Sequence, residues 1–333
     1  MKIDASVVIT TFNDGEYLDM LLSDIKSQDL EGFIIEVILL DAGGYSCERA
    51  LKCLGDKSVL LKYICSPGMS RPLALNCLFA ESNGLIIIRL DARSHVGSDY
   101  VKKILNLSKN TGASNVGGVM RPIGKSSGQM LVSDIMRNPF AFGGGKSRSV
   151  AYKGYVDSVY LGAYNKGICF YGEEWFDSRN SKISEDSDLN YRIRRNGGSV
   201  YLDPSIIVEH YPRESLRAFY RLCYNYGVGR GLFVMKHRVV SAWRQVVPPA
   251  LLIVFLLFVF SVPWDLFGST LKAMPIFVYF IILFLSTKSE ILLRRRLAIV
   301  GGIFGCHFFW LLGLIVAPYF YVSYQISDSG LRK

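Results

Sequence analysis

Four apolar runs, at residues 6–11, 34–40, 59–65 and 85–90, alternate with helix-patterned segments at 16–27, 47–54 and 71–81. The last run, Leu85-Ile86-Ile87-Ile88-Arg89-Leu90, holds no polar residue before Arg89. Strands that are apolar along their whole length are buried on both faces, and the intervening helices supply the crossovers. The first 120 residues therefore predict an α/β domain, a mainly parallel sheet with helices on both faces. Such sheets bind ligands off the carboxyl ends of their strands. Thr11, Asp41 and Asp91 fall at three of those ends.

Beyond residue 112 the pattern is less regular. Residues 116–120 and 156–161 read as strands, with a mobile loop around Gly143-Gly144-Gly145 between them. A helix is expected from Ser184 to Asn196, capped by Ser184 and stopped by Gly197-Gly198. Two short strands follow, at 200–202 and 206–208. A longer helix over 215–237 is interrupted by Gly227, Gly229 and Gly231. Its aromatic stripe and its arginines face different ways, which suits either a helix lying at a bilayer surface or one packed on the core.

Half of the 333 residues are hydrophobic, and the excess sits after Gln245. This divides the chain into a domain at 1–212, an interfacial region at 213–245 and a membrane region at 246–333. Three apolar spans are expected, at 246–262, 273–287 and 297–324. Lys288, Arg294, Arg295 and Arg296 place the loop between the last two on the cytoplasmic side, together with the domain. The expectation is thus a multi-pass protein of the inner or plasma membrane. The net charge of +10 gathers near the membrane region and fits anionic lipid or phosphorylated ligands better than nucleic acid. Seven scattered cysteines with no Cys-x-x-Cys spacing read as reduced thiols.

Asp91, at the end of an apolar strand, is placed to hold a divalent cation against phosphates. Taken alone it also reads as a turn aspartate capping the next amide. Glu185-Asp186 opens a helix, where acids complement the dipole. Asp188 makes three acids in four residues, more than capping needs. The aromatic stretch around Phe170, Tyr171, Trp175 and Phe176 suits stacking on a sugar ring. Asp41-Ala42-Gly43-Gly44 lets backbone approach a ligand closely. Arg71 and Arg230 are candidate diphosphate cations.

Val7-Val8-Ile9-Thr10-Thr11-Phe12-Asn13, Arg71-Pro72-Leu73-Ala74-Leu75-Asn76, Arg89-Leu90-Asp91-Ala92-Arg93, Glu185-Asp186-Ser187-Asp188 and Tyr226-Gly227-Val228-Gly229-Arg230 follow in that order. Together they resemble the family 2 glycosyltransferases of GT-A fold, in particular the membrane-bound, succinoglycan-type (ExoA-like) branch of exopolysaccharide synthesis. The resemblance implies that Thr11, Phe12, Asp14 and Asp41 surround the nucleotide, with Arg71 and Asn76 near its base or phosphates. It implies that Asp91 is the first acid of the metal-binding Asp-x-Asp element, with Mg²⁺ or Mn²⁺ as cofactor. The second acid is replaced by Arg93, which can supply positive charge itself. Asp186 would be the general base, Glu185 its neighbour, and Arg230 a late cation near the diphosphate. The implied reaction is an inverting transfer from a nucleotide-diphosphate sugar, such as a UDP-sugar, to a hydroxyl of a lipid-linked saccharide. Trp175, Arg213 and Arg217 would face that polyprenyl-diphosphate acceptor. A polyprenyl-phosphate glycosyl synthase and a non-catalytic membrane scaffold remain as alternatives.

Overall fold

The computed structural model describes residues 2–44, 47–54, 59–142, 145–169, 174–178, 184–240 and 264–330. It divides into two compact units, residues 1–121 with 145–211, and residues 122–144 with 212–333. The expected span at 246–262, most of the Gly143-Gly144-Gly145 run, and Phe170 and Tyr171 lie outside the described residues.

The first unit opens with β1 (Ala5–Thr11), α1 (Gly15–Lys26), β2 (Ile35–Asp41), α2 (Cys47–Leu54), β3 (Leu60–Cys65), α3 (Arg71–Glu81) and β4 (Ile86–Asp91). These four strands pair in parallel in the order β3-β2-β1-β4. Side chains alternate across the sheet. Val7 and Ile9 join Leu18, Leu22 and Ile25 on one face, while Val8, Ile38 and Leu40 join Leu75, Leu78 and Phe79 on the other.

The rest of the unit is β5 (Ser94–Val96), α4 (Tyr100–Thr111), β6 (Asn115–Pro122), β7 (Gly154–Tyr155), β8 (Tyr160–Asn165), α7 (Lys166–Cys169), α8 (Glu185–Arg195) and β9 (Val200–His210). β8 pairs antiparallel with β4 and with β6, and β5 and β7 pair antiparallel with β9. The sheet is therefore mixed and mainly parallel in its first half, as expected.

Two strand assignments change. The strand expected at 156–161 lies later, at Tyr160–Asn165, while Val156 and Val159 are buried in a cluster with Val119, Val200 and Leu202. The two short strands at 200–202 and 206–208 are one strand, β9. Pro204 does not end it, and Asp203 Oδ1 accepts the Ser205 N–H beside the proline. On β6, a Cβ added to Gly118 would run into the Ile206 carbonyl. Gly118→Ala should therefore cost about 1–3 kcal/mol by overpacking, read as a lower thermal midpoint. A midpoint equal to the parent's would show that β6 and β9 can part without loss.

The second unit holds α5 (Ser127–Arg137), α6 (Pro139–Phe142), α9 (Leu216–His237), α10 (Trp264–Leu285) and α11 (Leu293–Gly330). Ser126 and Gln129 form a reciprocal capping box at the start of α5. α9 runs unbroken through its glycines. Gly227 lies against the Trp310 carbonyl and Gly231 against Ala317, so these glycines allow two helices to touch and do not interrupt one. Among the described residues one stretch, Leu293–Val322 of α11, is long and apolar enough to cross a membrane.

Candidate active site

Register brings the three polar strand ends together. Thr11 stands beside Asp41, and Asp91 beside Thr10. Each then takes a different surrounding. The carboxylate of Asp41 is fully buried, accepts the Gly43 N–H at 2.8 Å and accepts the Tyr63 hydroxyl at 3.0 Å. It braces the turn after β2. Thr11 Oγ1 is buried with no hydrogen-bond partner among the described residues, and Phe12 projects into solvent. Asp14 accepts the Phe12 N–H at 3.1 Å and the Arg93 Nε–H at 3.0 Å. Arg93 also lies 4.7 Å over the Tyr17 ring. It therefore leans on α1, with its charge partly met by Asp14.

The centre of the site is Arg89, a residue the sequence reading passed over. It is 1 % exposed. Its position on β4 turns it to the face covered by α3 and α8, the face of its neighbour-but-one Ile87. Its Nη1 donates to Asp186 Oδ1, and its Nη2 donates to Glu185 Oε1 at 3.0 Å. The same Nη2 lies 3.7 Å from Asp91 Oδ1. Phe176 closes the guanidinium from one side at 5.8 Å. Arg71, at the start of α3, adds a second cation. Its Nη2 donates to Asp91 Oδ2 at 2.6 Å, and its Nε pairs with Glu185 Oε1 at 3.0 Å. Arg71 is 46 % exposed, so this end of the cluster opens to solvent.

Three carboxylates thus face two guanidiniums, and the acids respond differently. Burial opposes ionisation of Asp91 and Glu185, but Arg71 and Arg89 outweigh it and hold both below the usual carboxylate range. For Asp186, burial dominates. With the nearby Glu185 and Asp91 charges it overcomes the pull of Arg89 and Arg71, and pushes the carboxyl up to about 6. Asp186 is the acid poised to exchange a proton near neutrality.

α8 is held in place by polar contacts that pattern reading did not reveal. Asn115 Nδ2 donates to Asn190 Oδ1 at 2.7 Å, and Asn190 Nδ2 donates to Ser158 Oγ at 3.0 Å. Arg192 bonds Asp188 at 2.9 Å and the Trp175 carbonyl, which accounts for the third acid of the Glu-Asp-Ser-Asp run. Ser184 does not cap with its side chain. Its φ is +106°, and its N–H donates to Glu185 Oε2 at 3.1 Å.

Two of the expected ligand residues have partners within the protein. Asn76 exchanges two hydrogen bonds with the Phe176 backbone, at 2.7 and 2.8 Å, so its amide anchors the chain under Arg89. Trp175 is 6 % exposed and packs edge-on against Phe79 at 5.1 Å. Arg213, Arg217 and Arg230 belong to the second unit. Arg213 and Arg217 are exposed, and Arg230 lies 5.4 Å over the Phe233 ring.

Among the described residues no three His, Cys, Asp or Glu side chains gather as ligands. One orphan remains: Asp91 Oδ1 is buried without a hydrogen bond. Hard cations at nucleotide sites need only one or two carboxylates, taking their other ligands from phosphate and water. The residues fit a metal held on the protein side by Asp91 alone.

Residues 6–169 match the model of the family described as glycosyl transferase family 2. This segment is a family 2 glycosyltransferase domain. The chain is 24 % identical over 247 residues to the succinoglycan biosynthesis protein ExoA of Rhizobium meliloti (strain 1021), covering 73 % of this chain and 74 % of that one. It is 22 % identical over 302 residues to a dolichyl N-acetyl-alpha-D-glucosaminyl phosphate 3-beta-D-2,3-diacetamido-2,3-dideoxy-beta-D-glucuronosyltransferase of Methanococcus voltae, covering 87 % and 88 %. Its fold is similar to that of the mannosyltransferase PcManGT of Pyrobaculum calidifontis, with a TM-score of 0.62 at 14 % identity over 92 % of this chain and 86 % of that one. The family 2 glycosyltransferase domain of this chain thus has the GT-A architecture.

Proposed function

We propose that this glycosyltransferase moves a sugar, with inversion, from a nucleotide-diphosphate sugar to a hydroxyl of a lipid-linked saccharide at a membrane surface, in polysaccharide synthesis. The observation that carries the reading is that Asp91 and Asp186, 95 positions apart in sequence, meet at one buried guanidinium. PcManGT was solved with GDP-Man and Mn²⁺, and the Methanococcus relative is named for a dolichyl-linked sugar phosphate, which supports the donor and acceptor classes.

In this reading Arg71, the exposed cation of the cluster, binds the donor diphosphate, with Asp91 behind it. Departure of the nucleoside diphosphate builds negative charge that fixed cations stabilise. A divalent ion at Asp91, when bound, would neutralise part of that charge. Asp186 takes the proton of the acceptor hydroxyl as the new glycosidic bond forms. Arg89 keeps that carboxylate aimed and ties it to Glu185.

Two measurements test the assignment. Asp91→Ala should weaken nucleotide binding at least tenfold by calorimetry, with the larger loss in Mn²⁺ or Mg²⁺. Affinity unchanged with and without metal would remove Asp91 from the donor site. The rate should also fall on acidification with an apparent pKa near 6, because the base must be ionised to accept a proton and Asp186 protonates there. A rate flat from pH 5 to 7.5 would argue against Asp186 as the base and favour a phosphate acceptor, which is already ionised.

A further inference from the structure

α11 has the length and hydropathy of a membrane-crossing helix, but its partner α9 does not suit a crossing. α9 runs parallel to it, and their contacts climb together. Tyr220 meets Gly305, Cys223 meets Cys306 at 3.2 Å between sulfurs, Gly227 meets the Trp310 carbonyl, and Gly231 meets Ala317. The pair therefore shares one depth over at least about 16 Å, at about 1.5 Å per residue. Before that stretch α5 takes over, with Ile135 against Gly302 and Asp134 paired to Arg295 at 2.6 Å. No part of Leu293–Val322 long enough to cross a hydrocarbon core of roughly 30 Å is free of these partners.

α10, which meets α11 at Tyr279–His307 and Phe280–Phe304, is apolar, but α9 is not uniformly so. α9 carries Arg217, Arg221, Arg230 and Lys236 within its 22 residues, with Asn225 among them. Sinking that helix alongside a crossing α11 would carry charge into lipid. The outer face of α11 is the reverse. Leu297, Phe304, Phe308, Leu312, Ile315 and Tyr319 are exposed. They fall within a stripe about 100° wide, opposite the seam with α9, as a one-sided apolar face requires.

We propose that α11 lies flat in the membrane interface, its Leu297-to-Tyr319 stripe facing the acyl chains and α9 riding on its watery side, and that it does not cross the bilayer. The occupant of the stripe is the lipid surface. A continuous apolar face backed by a basic helix matches an in-plane helix buried about 5–10 Å, and anionic headgroups would complement the arginines of α9. This placement is independent of the chemistry proposed above.

The test uses the full chain in phosphatidylcholine–phosphatidylglycerol vesicles whose acyl chains are brominated at known depths. Tryptophan is introduced singly as Phe304→Trp, Phe308→Trp, Ile315→Trp and Tyr319→Trp, and quenching is measured relative to the parent chain. The expected result is one shallow depth for all four probes, within about 5 Å. A crossing helix would move the probes about 22 Å along its axis and spread their depths by about 10 Å or more, which overturns the proposal. Quenching no greater than the parent's at all four positions also overturns it, because the stripe would then face protein.

Discussion

Asp186→Asn is expected to lower kcat by about 10²–10⁴-fold, the usual worth of general-base assistance, while nucleotide affinity stays within about threefold of the parent. The asparagine keeps the shape of the side chain and an oxygen that can still accept from Arg89 Nη1. What it loses is the ability to take a proton. The nucleotide is proposed to bind at Arg71 and Asp91, on the other side of Arg89, so its affinity should hardly move. Sugar-nucleotide turnover and nucleotide calorimetry on the same preparation read the two quantities separately. Turnover near the parent value, with folding intact, would take the base role away from Asp186 and point to an acceptor that needs none.

Arg89→Met should be the most destabilising change in the first unit, costing about 3–5 kcal/mol. Arg89 is buried and hydrogen-bonded to Glu185, itself only 6 % exposed, and to Asp186, so its removal leaves Glu185 with Arg71 as its remaining cation and takes the guanidinium away from Asp186. The pH dependence carries a definite sign. Glu185 and Asp91 sit below their unfolded values in the parent, so their contribution is present above pH 4 to 5 and is lost as pH falls through the folded values. The methionine variant keeps Arg71 and loses the share of that contribution that Arg89 supplies. The gap between the two thermal midpoints should therefore be widest near neutrality and narrow towards pH 4. A gap under 1 kcal/mol at neutral pH would mean that Glu185 reaches water without its cation.

The sheet was legible where strands were continuously apolar. β1 to β4 and the polar ends Thr11, Asp41 and Asp91 fall where the pattern put them; β1, β2 and β4 are buried on both faces, while β3, at the sheet edge, is read from its apolar composition. The less regular half misled in physical ways. Pro204 and the glycines of α9 look like breaks, yet β9 tolerates the first, and α11 needs the second for close approach. Trp175 looks like a sugar platform by composition, but it is covered by Phe79, which lies about a hundred residues away on α3. Arg89 was visible as a lone arginine in an apolar strand. Its role was not, since nothing local says that α8 will deliver two carboxylates to it from 96 and 97 residues away.

That shared guanidinium ties the fates of its ligands. Changing Asp91 to accept a different donor would redistribute Arg89 towards Glu185 and Asp186, and so retune the proton acceptor as well. Double substitutions among these acids should be strongly non-additive. Adapting such an enzyme to a new sugar would then proceed by exchanging β4 and α8 together as a block, with single-site libraries at either acid returning mostly inactive protein.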